Sequence, residues 1–235
     1  MRDGQFVVRE KPFYPMALNY ILAIHVRGDS IWAGPSKDYA RVDPNEEPSR
    51  AAMHTSFRAD MELIHEAGFN TVRLVGIGEL LRDRKGYFMK AFTINDVDTV
   101  MRIVREAGLR SIFLTTVHAD VPETEDLFVS IAERITKDSA LMAFDMFNEP
   151  LYFDKSERPK QEAIAIAAHW RDLVREHAPY QFYTVGLTGI RETFEFDPNL
   201  LNVDFISFHP YEYEPDQVRN ELTWYHRNVD VPWII

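Results

Sequence analysis

An asparagine, a glutamate and a proline stand together at positions 148–150, directly after the apolar run Leu141-Met142-Ala143-Phe144-Asp145-Met146-Phe147. If that run is a buried strand, its end delivers an amide and a carboxyl side by side at the rim of a sheet. A carboxyl so placed can give a proton to a leaving oxygen and take one from water, while the amide binds a hydroxyl. Asn and Pro are also common turn residues, and spacing alone leaves the two readings evenly matched. Two other candidate strand ends carry polar groups: Arg73 in Asn70-Thr71-Val72-Arg73-Leu74, and His209 with Tyr211 after residues 203–208. Taken singly, Arg73 reads as a solvated strand-end charge and His209, before Pro210, as a loop residue.

The elements that must position these groups are legible from an internal echo. Glu66-Ala67-Gly68-Phe69-Asn70-Thr71-Val72-Arg73-Leu74 returns at 106–114 as Glu106-Ala107-Gly108-Leu109-Arg110-Ser111-Ile112-Phe113-Leu114. Each copy ends a helix at a glycine, where left-handed geometry carries no Cβ penalty, and then enters a β-branched and apolar strand. Met53, Phe57, Met61 and Ile64 precede the first copy at helical spacing. Val97, Val100, Val104 and Ala107 precede the second, with Asn95 as the expected N-cap.

Further strands are expected at 13–20, 141–147, 181–186, 203–208 and 231–235. Helical patterns at Leu127/Ile131/Ile135, Ala163/Ala167/Trp170/Val174 and Val218/Leu222/Tyr225 separate the later ones. Seven strands alternating with helices, some apolar on both faces, imply a parallel sheet covered on both sides. No Gly-x-Gly-x-x-Gly turn follows a strand, and the polar groups gather at strand carboxyl ends. The expected fold is therefore an α/β (β/α)8 barrel, one domain over 1–235 that lacks its last βα units. Residues 24–49, rich in Gly, Pro, Asp and Asn, read as a long functional loop after the first strand.

Composition narrows the function. A chain of 235 residues can bury one sizeable core. Its net charge of -11 leaves few basic clusters for phosphates, which disfavours nucleic acid and anionic membranes as partners. The absence of cysteine excludes disulfides, thiolate metal sites and a thiol nucleophile. No apolar run reaches the roughly 20 residues that span a bilayer, and residues 1–10 lack a signal-peptide core.

Phe147-Asn148-Glu149-Pro150 resembles the Asn-Glu-Pro signature that ends the fourth strand in clan A glycoside hydrolases. The closest likeness is to family 5, which includes cellulases, mannanases and exo-acting β-glycosidases. Arg73 matches the family's strand-two arginine, and His209-Pro210-Tyr211 resembles its His-x-Tyr motif after strand six. The resemblance implies Glu149 as acid/base, Asn148 on the sugar 2-hydroxyl and Arg73 orienting a nucleophilic carboxylate. It further implies His209 near the acid/base and Tyr211 on the nucleophile. His118, after the third strand, is a looser match to a substrate-binding histidine. Trp32 and Tyr39 in the long loop can stack on a sugar or anchor the loop, and Trp32 is carried with His118 as a substrate-binding candidate. Asn19 matches the family's first-strand segment without a fixed role, and Tyr152 and Phe153 can line a subsite or simply pack.

The family mechanism needs no metal or organic cofactor and takes a β-linked oligo- or polysaccharide by retention. Retention requires two carboxyls about 5 to 5.5 Å apart. The family's nucleophile ends strand seven, which here runs to Ile235, so that glutamate is expected just beyond the chain; Glu79, Glu212 and Glu214 do not match its position. Two alternatives stand beside this reading: a carbohydrate-binding pseudoenzyme on the same scaffold, and a metal-dependent hydrolase using His65, His118 and His209. An extracellular or periplasmic location follows from the family, against a cytoplasmic one suggested by the missing leader.

Overall fold

The computed structural model describes residues 1, 4–27, 30–36, 49–75, 90–115, 122–149, 159–195 and 198–235. Tyr39, Glu79, His118, Pro150, Tyr152 and Phe153 lie outside them. A short antiparallel hairpin, β1 (Val7–Val8) and β2 (Lys11–Pro12), opens the chain. The main sheet contains β3 (Ala17–Arg27), β4 (Ser30–Pro35), β5 (Thr71–Val75), β6 (Arg110–Leu114), β7 (Leu141–Asn148), β8 (Phe182–Leu187), β9 (Phe205–Phe208) and β10 (Trp233–Ile234). Its order is β10-β9-β8-β7-β6-β5-β3-β4, with every neighbouring pair parallel except β3 with β4.

The helices are α1 (Arg50–Glu66), α2 (Lys90–Glu106), α3 (Pro122–Ile135), α4 (Lys160–His177), α5 (Ile190–Glu195), α6 (Pro198–Leu201) and α7 (Pro215–Asn228). Seven parallel strands with intervening helices form an incomplete (β/α)8 barrel.

The alternation of side chains along each strand builds two cores. Val72, Leu74, Phe113, Phe144, Met146, Ile206 and Phe208 join the helices in the outer layer. Ile112, Ala143, Phe205 and Ile234 form an inner cluster, to which Phe6 adds edge-to-face contacts with Phe182 and Phe205. The echo behaves as its sequence implies: Gly68 and Gly108 adopt φ of 94° and 78°, each ending a helix before a strand. Met53, Phe57, Met61 and Ile64 are buried on α1, and Val97, Val100 and Val104 on α2.

Three expectations are corrected. Asn95 is not the N-cap of α2, which begins at Lys90, because Ala91-Phe92-Thr93-Ile94 contains nothing to break a helix. The first strand is not 13–20 but Ala17–Arg27, and the expected loop from 24 begins as a hairpin in which Ile24 pairs with Ala33 and His25 with Trp32. Trp32 is therefore not on a sugar-binding surface. Only 3% exposed, it stacks near His25 at 6.0 Å while β4 packs on α1 and α2. Gly34 lets that strand approach, since a Cβ there would stand 3.1 Å from the Met53 Cβ. The indole is an anchor for the hairpin.

Candidate active site

Arg73 lies between the outward-facing Val72 and Leu74, so its side chain enters the barrel. It is 4% exposed, and three of its nitrogens are engaged: Nε donates to Asp145 Oδ2 at 2.8 Å, Nη1 to Asn19 Oδ1 at 3.3 Å, and Nη2 to Asn148 Oδ1 at 2.9 Å. The solvated-charge alternative is thereby removed.

A local irregularity explains how Asp145 and Asn148 both reach Arg73. Along a regular strand, residues three apart face opposite sides. Here Asp145 pairs with Thr184 and Asn148 with Gly186, so three steps on β7 match two on β8. The extra residue turns Asn148 back to the interior. The chain then turns again at Glu149, whose φ of 53° is left-handed and costs about 1 to 2 kcal/mol for a residue with a Cβ. Its N–H donates to the Gly186 carbonyl at 2.8 Å, which pins the turn.

Glu149 is 1% exposed. Its Oε1 bonds His209 Nδ1 at 2.6 Å and accepts from the Tyr211 hydroxyl. His209 is tied in turn by its N–H to the Leu187 carbonyl at 2.8 Å, and among the described residues its Nε2 has no hydrogen-bond partner. The Tyr211 hydroxyl, expected on the nucleophile, donates to Glu149 here, from the same segment leaving β9 that carries His209. His65 lies near Gly108, at the end of the barrel where strands begin, away from His209. No group of three or more His, Cys, Asp or Glu among the described residues could hold a metal. Likewise, no helix among them is long and apolar enough to cross a membrane.

Two members of the site were not singled out from sequence. Asp145, fully buried, accepts from Arg73 and, through Oδ1, from the Gly186 N–H at 3.0 Å. Gly186 is the second. A Cβ there would come within 3.0 Å of Arg73 Nη2 and 3.2 Å of both His209 Cε1 and the Phe147 carbonyl. Gly186→Ala is therefore expected to cost about 1 to 3 kcal/mol by overpacking and to displace Arg73 and His209. Thermal unfolding reads the first effect and turnover the second.

Burial, followed by the positive charge of Arg73, holds His209 below the ordinary histidine range, although Glu149 and Asp145 oppose the shift. The shift disfavours an imidazolium cation beside the Glu149 carboxyl. The folded form takes up this proton at lower pH than the unfolded chain, whose histidines titrate near about 6.5. Just below that pH the unfolded state binds more protons, so the contribution of His209 falls as pH drops through about 6.5. Melting temperatures from pH 7.5 to 5.5 should show a shallower acid decline in His209→Gln than in the parent.

A cavity of about 40 Å³ inside the barrel is lined by Asn19, Arg73, Ser207, His209, Ile234 and Ile235 among others. The carboxyl end of β10 therefore opens onto the same space as the arginine and histidine.

Comparison with known proteins bears on the family and the fold. The family model described as Cellulase (glycosyl hydrolase family 5) matches residues 42–231. Among solved structures, a Bacteroides uniformis β-glucuronidase is similar at 12% identity and a TM-score of 0.58, covering 91% of this chain and 26% of its own. The chain thus spans about a quarter of that enzyme's length. A structure described as a glycoside hydrolase is similar at 15% identity and a TM-score of 0.62, covering 95% and 77% respectively. An endo-1,4-β-mannanase from Eisenia fetida is similar at 12% identity and a TM-score of 0.53, covering 82% and 74%. At these identities the structures speak for the fold alone. A search of curated proteins finds no significant match.

Proposed function

The chain belongs to glycosyl hydrolase family 5, and from that premise we propose that it hydrolyses β-glycosidic bonds with retention, using Glu149 as acid/base. The observation that carries the reading is the setting of Glu149. It is a buried carboxyl at the end of the fourth parallel strand, held through a single oxygen by His209 and Tyr211, beside an asparagine locked to Arg73.

Among the described residues Oε2 accepts no comparable bond, which leaves it for the glycosidic oxygen. In the first step Glu149 protonates that oxygen while a second carboxylate attacks the anomeric carbon, forming a glycosyl ester and releasing the aglycone. Glu149 then takes a proton from water, which attacks the ester and frees the carboxylate. Asn148 holds the 2-hydroxyl through its amide.

The second carboxylate would have to enter the cavity shared by Arg73 and His209, onto which the carboxyl end of β10 opens. A glutamate there would meet the arginine's positive field. The substrate is a β-linked oligo- or polysaccharide, met outside the cytoplasm.

The test is to assay the full-length gene product against aryl β-glycosides, β-glucan and β-mannan, following the first-formed anomer by proton NMR. The β-anomer appearing first supports the proposal. An α-anomer first would exclude retention, and saccharide binding without turnover would favour a binding protein on a hydrolase scaffold.

A further inference from the structure

An asparagine amide can sit in either of two orientations that exchange a donor for an acceptor with almost no change of shape. Which one Asn148 adopts decides what it offers a sugar. A guanidinium only donates, so Arg73 Nη2 at 2.9 Å selects Oδ1 and turns the NH₂ group the other way. Recognition by Asn148 is therefore only as well defined as the plane of Arg73.

That plane is fixed chiefly by Asp145, which takes Nε at 2.8 Å, with Asn19 a longer contact on Nη1 at 3.3 Å. Asp145 also holds the backbone of the same site. Its other oxygen accepts the Gly186 N–H, and the carbonyl of Gly186 accepts the N–H of Glu149 at 2.8 Å. One carboxylate thus lies at the root of two arms, a side-chain arm to Asn148 and a backbone arm to Glu149. It is fully buried, two strands from Arg73, in a run whose other residues are apolar. A charge in that place is costly unless paired, and here both of its oxygens are used.

We propose that Asp145 is a positioning residue for substrate recognition: through Arg73 it fixes the Asn148 amide with its NH₂ toward the substrate 2-hydroxyl, so that selectivity for that hydroxyl depends on a side chain that never touches the sugar. This rests on the reading of Asn148 given above. The orientation matters because an amide N–H donating to the 2-hydroxyl leaves the hydroxyl's own proton for the attacking carboxylate. A flipped amide would take that proton through its carbonyl.

Asp145→Asn keeps the shape but replaces two acceptors by one acceptor and one donor, so the NH₂ must face either Arg73 Nε–H or the Gly186 N–H. In the full-length protein, kcat and KM would be measured with 4-nitrophenyl β-D-glucoside and β-D-mannoside and with their shared 2-deoxy analogue, the 2-deoxy-β-D-arabino-hexoside. The preference of the parent for the hydroxylated substrate in kcat/KM is expected to fall roughly tenfold to a hundredfold in Asp145→Asn, mostly in kcat. Asn148→Ala should lose a similar share.

An unchanged preference in Asp145→Asn, with only a lower melting temperature, would make Asp145 purely structural and overturn the proposal. An unchanged preference in Asn148→Ala would instead overturn the reading of Asn148 on which it rests. If Asp145→Asn does not unfold cooperatively, Arg73→Lys serves in its place: an ammonium can answer Asp145 but cannot span to Asn148 at once. Loss of the preference there supports the relay, and its retention overturns it.

Discussion

Alanine at position 149 is expected to lower kcat/KM for substrates with poor leaving groups by about 10²- to 10⁴-fold, the usual worth of a positioned general acid. The loss should grade with the aglycone. A 2,4-dinitrophenyl glycoside departs without protonation, so its first step is nearly spared while water attack on the glycosyl ester is slowed. With that substrate the intermediate should accumulate and KM should fall. An alkyl glycoside or a polysaccharide needs the proton at the outset and should lose the full amount. Steady-state kinetics across a series of aryl leaving groups reads this as a steep dependence on phenol acidity in Glu149→Ala, set against a shallow one in the parent. Equal losses on every substrate would point to a collapsed site.

Arg73→Met should produce the largest change in stability. The arginine and Asp145 are 4% and 0% exposed, so removing the cation strands a carboxylate in a low-dielectric interior. Breaking a buried pair in this way costs about 3 to 5 kcal/mol, which for a domain of this size corresponds to about 6 to 20 °C in melting temperature. Two further hydrogen bonds leave with it, freeing Asn19 and Asn148.

A double variant, Arg73→Met with Asp145→Leu, should regain much of the loss, because the charge left unpaired is then gone as well. The exposed pair Arg134–Asp98 is the contrast. Solvent screens it, and Arg134→Ala should leave stability nearly unchanged. Melting curves of the four proteins decide the point, and a double variant no more stable than Arg73→Met would mean that packing carries the effect.

The barrel was legible because helices with one buried face and strands apolar on both faces leave different periods in the sequence, and Gly68 and Gly108 mark where one gives way to the other. The β3–β4 hairpin was missed although Gly28-Asp29, two residues between Arg27 and Ser30, is a hairpin spacing; the surrounding Gly, Pro and Asp read as loop. That error also placed Trp32 on the wrong surface.

Within the site, Arg73, Asn148, Glu149, His209 and Tyr211 were singled out by the family resemblance rather than by type or spacing alone, and the structure links them through Asp145 and Gly186. Asp145 had a signal of its own, a lone charge in an apolar run, and a buried charge demands a partner. That Asn148 joins it on Arg73 could not be read, because this depends on a one-residue slip between β7 and β8. Glu149 itself adopts a left-handed backbone although it is not a glycine. Neither leaves a mark in composition or period.

Glu149 as the acid/base of a retaining enzyme is tested by the product that the full-length Glu149→Ala protein forms in the presence of azide. The small anion fits the space vacated by the carboxyl and attacks the glycosyl ester without needing a general base. Faster turnover of a 2,4-dinitrophenyl glycoside is expected, with a β-glycosyl azide identified by proton NMR. An α-glycosyl azide would make Glu149 the nucleophile, and turnover indifferent to azide with parent-like rates would remove Glu149 from the chemistry altogether.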